Sequence, residues 1–228
     1  MISRFLIPAL SIAGLVFFVA FVVEFLFQSA YQKLSQIEIS SGVTAREALE
    51  ALLAESPAER PSIRKTSSPL DDRYEGTQGL IYLHRPEGTS LADVGAASHE
   101  GIHFLQDQRS RLLYPLYRIL YPAARLSAPL AVLLLIFGFL FNSAATLVGA
   151  VMLAFLILYI LLRVPLEFFA SWEAISSLEQ RDLISSRERH QLRRFLSLAA
   201  LCHLTSIVTR GLKSAHVLLY HRNEDGNH

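Results

Sequence analysis

The chain holds a single cysteine, Cys202, in 228 residues. That excludes an intrachain disulfide and any thiolate-built structural zinc site, which needs several cysteines. A bound metal must therefore be held by His, Asp or Glu. Charge is scarce as well. Asp, Glu, Lys and Arg make up 18% of the chain and hydrophobic residues 52%, whereas a soluble globular domain carries about 25% charged residues. The formal net charge is only +1, so no electrostatic field invites a nucleic-acid backbone. There is also no glycine-rich phosphate loop and no RNA-binding aromatic signature, and no nucleic-acid partner is expected.

The charge deficit is concentrated. Residues 126–162 form a run of 37 positions without one charged side chain. A single helix of that length would measure about 55 Å, against a hydrocarbon core of about 30 Å. Two spans are expected instead, 126–141 and 144–162, joined by a tight polar turn at Asn142 and Ser143. A second apolar block, 5–27, is long enough for one span. The apolar core of a cleavable signal peptide is shorter, about 7–15 residues, so this block reads as an uncleaved anchor. The stretch 195–208 (FLSLAALCHLTSIV) is less apolar and contains His203. It reads equally as a fourth span and as a helix lying along the membrane or against the soluble part.

Between these blocks the composition turns polar. Residues 28–125 contain 11 of the 21 Lys and Arg, and residues 163–228 contain nine, while the hairpin turn has none. A two-span hairpin returns the chain to the side it left, so both polar stretches face one compartment, and the positive-inside rule makes it the cytoplasm. The expected organisation is an anchor (1–27), a zinc-binding catalytic region (28–125), a transmembrane hairpin (126–162), C-terminal helices (163–220) and a disordered tail (221–228). Within the polar part, Thr44 with Glu47 three residues on predicts a capping box opening a helix over 44–53. Residues 55–69 are rich in Pro, Ser and charge and predict a loop. The alternation in LIYLH, residues 80–84, predicts a strand. Ser90 and Asp93 predict the N-terminus of another helix.

That last helix carries the chemistry. Residues 95–107 read GAASHEGIHFLQD. Residues four apart share one helix face, so His99 and His103 can present ring nitrogens to one Zn²⁺, with Glu100 on adjoining surface as a general base. Small and apolar neighbours (Gly95, Ala96, Ala97, Ile102, Phe104) point to a packed helix rather than a solvated face, and two buried histidines without a partner would be costly. A catalytic zinc needs a third protein ligand and an open position. No histidine lies six residues beyond His103: Gln106 and Arg109 occupy the places of the glycine and histidine of the extended motif. A downstream carboxylate is expected instead. Glu167, just after the hairpin, is the leading candidate, with Glu173 and Glu179 as alternatives.

The chain resembles the YugP-type neutral zinc metallopeptidases, a family of bacterial membrane proteins, over roughly residues 30–210. The resemblance rests on YQKLSQIEISSGVTARE, LDDRYEGTQGLIYL, GTSLADVGAASHEGIHFLQD, and PLEFFAS followed by LISSRE. It implies zinc held by His99, His103 and Glu167, Glu100 as the base, and a mainly α, integral membrane helical zinc-protease fold with a small amount of β in its soluble part. Two positions depart from the family pattern. Phe169 stands where an aspartate is common, and Arg73 where a histidine is usual, beside Asp72 and Tyr74. Tyr74 is a candidate for substrate binding or oxyanion stabilisation. The expected function is hydrolysis of peptides or membrane-associated proteins at the cytoplasmic face of a bacterial inner membrane by a multi-pass zinc endopeptidase, with the lipid bilayer as a further partner. A non-enzymatic scaffold stapled by structural zinc is the alternative. A transporter is disfavoured because the spans hold almost no ionisable groups. Nothing in the sequence fixes the oligomeric state.

Overall fold

The computed structural model describes residues 3–54, 56–110, 112–141 and 143–224; within these, the side chains of 3–10, 12–13, 16–17, 125, 128–129, 143 and 206–224 are not described. Among the described residues, six α-helices and three short strands follow in the order α1 (Ser3–Leu34), α2 (Ala45–Leu53), β1 (Ser62–Lys65), a 3₁₀ turn (Pro69–Asp71), β2 (Arg73–Glu75), β3 (Leu80–Leu83), α3 (Leu91–Arg109), α4 (Leu113–Phe141), α5 (Ser143–Gln180) and α6 (Ser186–Glu224). The protein is mainly helical with a small sheet, as expected.

The chain divides into two units. One comprises Phe25–Leu116 and Val164–Leu201. At its centre lies α3, with 14 of its 19 residues buried. Such all-round burial marks a core helix rather than an amphipathic surface one. Three surfaces close on it. Gly101 lies against Leu49 of α2, Gly95 lies against Leu192 of α6, and the sheet packs through β2 and β3. Both glycines sit where a Cβ would collide with a leucine side chain; the close approach requires them. Full burial of Leu49, Leu91, Ile102, Leu192 and Leu196 stabilises this unit by about 1.5–3 kcal/mol per side chain relative to exposure.

The helix starts follow the predicted chemistry. At α2, Thr44 Oγ1 accepts from the Glu47 N–H and Glu47 returns a bond to the Thr44 N–H, completing the box. At α3, Ser90 Oγ accepts from the Asp93 N–H and donates to Asp93 Oδ2 at 2.6 Å. Asp93 Oδ1 also accepts from the Tyr31 hydroxyl at 2.7 Å, tying the end of α1 to the start of α3. At α6, Ser185 and Glu188 form a third reciprocal cap, and Glu188 further accepts from the N–H and hydroxyl of Ser40, each at 2.7 Å. The Ser-x-x-Glu within LISSRE thus fastens the loop after α1 to α6. Burial alone would raise the Glu188 carboxyl, but the bonds it accepts from the N–H and hydroxyl of both Ser185 and Ser40 outweigh it and hold the group below its usual range.

The sheet has the order β1-β3-β2, with β3 parallel to β1 and antiparallel to β2. The predicted strand at 80–84 is β3. Segment 55–69, expected as a loop, contributes β1, and β2 adds an edge strand in register Tyr74↔Ile81.

The other unit contains Tyr117–Arg163, the paired parts of α4 and α5. Here the outer face is apolar: Leu133, Phe137, Leu147 and Leu161 are all more than half exposed. The interior is built of small residues. A Cβ on Gly138 would strike the backbone of Thr146, and one on Gly149 would meet the Leu135 nitrogen at 2.9 Å. Tyr159 is the largest buried side chain of this unit; it stacks on Tyr117 at 5.5 Å and accepts a 2.6 Å bond from Arg163. Helix α4 ends at Phe141 and α5 begins at Ser143, which was expected in the turn; Asn142, the other expected turn residue, lies outside the described residues. Nor does α5 stop at Arg163. It runs on through Pro165 to Gln180 as one helix. Among the described residues, one helix, Ala144–Gln180, is long and apolar enough to cross a membrane, with mean hydropathy 2.7; Leu130–Phe141 is apolar but shorter. Helix α6 continues through 195–208 to Glu224, into the expected disordered tail; the last four residues lie outside the described ones.

Candidate metal centre

The His-Glu pattern lies in the buried middle of α3, and α5 brings a carboxylate to it. His99 Nε2 and His103 Nε2 are 3.1 Å apart, and Glu167 Oε2 lies 3.3 Å from the first and 3.6 Å from the second. All three side chains are at least nine-tenths buried. The other predicted carboxylates go elsewhere. Glu173 pairs with Arg109 at 2.8 Å and Glu179 with Arg189 at 3.1 Å, both at the surface.

The outer nitrogens of the two rings are also held. His99 Nδ1 lies 3.3 Å from Ser171 Oγ, whose own proton is taken by the carbonyl of Glu167 at 3.0 Å or of Leu196 at 3.2 Å. Ser171 can therefore only accept from the ring. His103 Nδ1 lies 2.9 Å from Gln106 Oε1. With both Nδ1 positions donating, the Nε2 lone pairs face each other and the Glu167 carboxylate. Three electron pairs crowded into a buried space repel unless a proton or a cation sits among them. Four-coordinate zinc with donors at 2.0–2.1 Å separates them by roughly 3.3–3.4 Å, close to the three spacings seen. The donor set, two imidazoles and one carboxylate, is also one that zinc takes.

Electrostatics agree. Burial lowers the proton affinity of His99 and is the largest single influence on it. At His103 burial acts the same way, but the charge and hydrogen bond of Glu167, with help from Glu100 and Gln106, outweigh it and raise this ring above its ordinary value. The two rings are thus driven apart, one towards the neutral form and one towards the charged form.

Glu100, next to the first histidine and almost fully buried, accepts a 2.6 Å bond from the backbone N–H of Tyr74 on β2. The edge strand thus fixes the orientation of the carboxylate. Tyr74 makes this contact through its main chain, while its hydroxyl donates to Asp107 Oδ2 at 2.8 Å. Asp72 is buried at the start of the same strand and accepts from the His84 N–H. Burial, followed by the charge of Glu100, pushes its carboxyl well above the usual range. Arg73 lies over the Tyr82 ring, 4.0 Å from its centroid, and Phe169 faces outward. Sequence reasoning missed Gln106 and Ser171 as partners of the histidines. The signal was there: Gln106 is three residues from His103 and Ser171 four from Glu167, spacings that place each pair on one helix face.

Comparison with known proteins adds the family. Residues 9–221 match the family described as "putative neutral zinc metallopeptidase". A protein of Bacillus subtilis (strain 168) named "Putative membrane protease YugP" is 27% identical over 190 residues, covering 82% of this chain and 84% of that protein. No solved structure matches. With a buried His/Glu cluster suited to zinc and a family match over nearly its whole length, the chain belongs to this neutral zinc metallopeptidase family.

Proposed function

We propose that this protein is a membrane-embedded zinc endopeptidase that hydrolyses peptide bonds at the cytoplasmic face of the membrane. His99, His103 and Glu167 hold the metal, and Glu100 is the general base. Carrying this reading is the convergence of two outward-tethered imidazoles and one carboxylate beside a second, separately held carboxylate.

Bound there, zinc would supply Lewis acidity, enough to bring the pKa of a water down towards ~7 and to polarise a carbonyl. The remaining steps belong to the chain. Ser171 and Gln106 keep both imidazoles turned inward. Glu100, braced by the Tyr74 N–H, takes the proton of the attacking water and passes it to the leaving amine. Tyr74, adjoining the base through that bond, is the candidate to contact substrate. Residues 5–27, 126–141 and 144–162 span the bilayer, and the lysine and arginine distribution puts the catalytic region on the cytoplasmic side. Clients are peptides or membrane-associated proteins, because an active site close to a bilayer favours them.

The test is Glu100→Gln in the detergent-purified full chain, assayed on an unstructured protein substrate. Zinc content should match wild type while hydrolysis falls by 10²–10⁴, the usual worth of a general base. Equal cleavage rates in the two proteins would overturn the mechanism. Wild-type protein that holds zinc, melts in a metal-dependent way and cleaves nothing would point to the scaffold reading instead.

A further inference from the structure

Gln106 is joined to both flanks of the metal centre. Its Oε1 lies 2.9 Å from His103 Nδ1, and its Nε2 donates to the backbone carbonyl of Leu166 at 3.1 Å. Leu166 immediately precedes Glu167 on α5. One side chain therefore spans from the second histidine of α3 to the peptide unit carrying the carboxylate.

The orientation of this amide is set by chemistry. A carbonyl oxygen can only accept, so the NH₂ end of Gln106 must face Leu166. The oxygen end is then left for His103, and a carbonyl oxygen facing a ring nitrogen requires that nitrogen to carry hydrogen. His103 is thereby held as the Nδ1–H tautomer with its Nε2 lone pair toward His99 and Glu167. Had the amide turned over, two carbonyl oxygens would face each other at Leu166. The Leu166 carbonyl thus selects the histidine tautomer on another helix.

We infer that Gln106 is a positioning residue that fixes the metal-competent tautomer of His103 and sets its spacing to Glu167 by bridging α3 to α5. This rests on the reading that His103 and Glu167 hold zinc. It assigns work to the position that the extended three-histidine motif gives to glycine. A protein that takes its third ligand from a distant helix needs a tie between the two helices, and a glycine could not provide one.

The experiment measures zinc affinity of the full-length, detergent-solubilised protein by chelator competition, together with the visible absorption of the Co²⁺-substituted form. Gln106→Met keeps the length of the side chain and removes both polar arms. It should weaken zinc binding by about 10–100-fold, the typical cost of losing an outer partner of a metal ligand, and should alter the Co²⁺ spectrum. Gln106→Glu keeps the acceptor for His103 and loses the donor for Leu166. Its affinity should lie nearer wild type than the methionine variant, a rescue that simple packing would not give. Zinc affinity of Gln106→Met within twofold of wild type, or Gln106→Glu as weak as Gln106→Met, overturns the inference. If Gln106→Met does not fold, ¹⁵N chemical shifts of the His103 ring in zinc-loaded wild type decide: a protonated Nδ1 is expected, and a protonated Nε2 overturns it. His103→Ala separates the two layers. If it binds zinc as tightly as wild type, the ligand reading fails. If it loses zinc while Gln106→Met does not, only the role of Gln106 fails.

Discussion

The unit around α3 and the paired helices of residues 117–163 bury opposite things. The first encloses His99, Glu100, His103, Glu167, Asp72 and Asp93 in its interior. The second turns its large apolar side chains outward and keeps Gly138, Gly149, Ala124 and Ala131 within. Exposed leucine and phenylalanine around closely approaching glycine and alanine is the packing that suits an apolar surrounding, where association relies on close backbone approach, and α5 is the described helix long and apolar enough to cross a membrane. Buried ionisable groups, by contrast, cost stability unless paired or bound to metal, so the first interior calls for such a partner.

The sharpest way to break this contrast is to remove the buried carboxylate. Glu167→Ala should lower zinc affinity by more than the roughly 10–100-fold that an outer partner is worth, measured by chelator competition. Retained affinity would mean that the polar interior does not exist for a metal. Next comes the apolar hairpin. Gly138→Leu puts a side chain where the Thr146 backbone lies, and neither backbone can yield as a flexible side chain would. Its melting temperature in detergent should drop, by the equivalent of about 1–3 kcal/mol or more for overpacking. An unchanged melting temperature would show that α4 and α5 do not rely on that contact. The smallest effect is expected for Glu173→Gln. Its pair with Arg109 is partly solvated, so stability should change by only about 0–1 kcal/mol, with no change in zinc affinity. A loss of zinc comparable to that of Glu167→Ala would move the third ligand to Glu173.

Legibility in the sequence followed the range of the interaction. The capping box at Thr44 and the Ser90 N-cap are local, formed by residues three apart, and appear in the structure where the sequence places them. The histidine pair is similarly local. By contrast, β1 has the sequence SIRK and lies mostly exposed, and β2 is three residues long. Neither has room for an alternating pattern, and both exist because β3 lies between them. The end of α5 was misplaced because charge returns at Arg163 and Pro165 follows. A change of composition marks the edge of an apolar segment, not of a helix, and the lost donor and ring clash of one proline can be outweighed by the packing on both sides of it. Glu167 could be nominated from its position after the hairpin, but only the folded chain separates it from Glu173 and Glu179. Glu100 is held by a main-chain N–H, which any residue at position 74 except proline would supply, so no side-chain signature announces it.

The Tyr31–Asp93 contact has a consequence for how the centre responds to its surroundings. Burial, then the hydrogen bond to Asp93, push the ionisation of this phenol far upward. It therefore stays protonated, and stays a donor, across every pH at which a cell lives. The first turn of the histidine-bearing helix is thus moored to its neighbour by a donor that does not ionise as the medium turns alkaline.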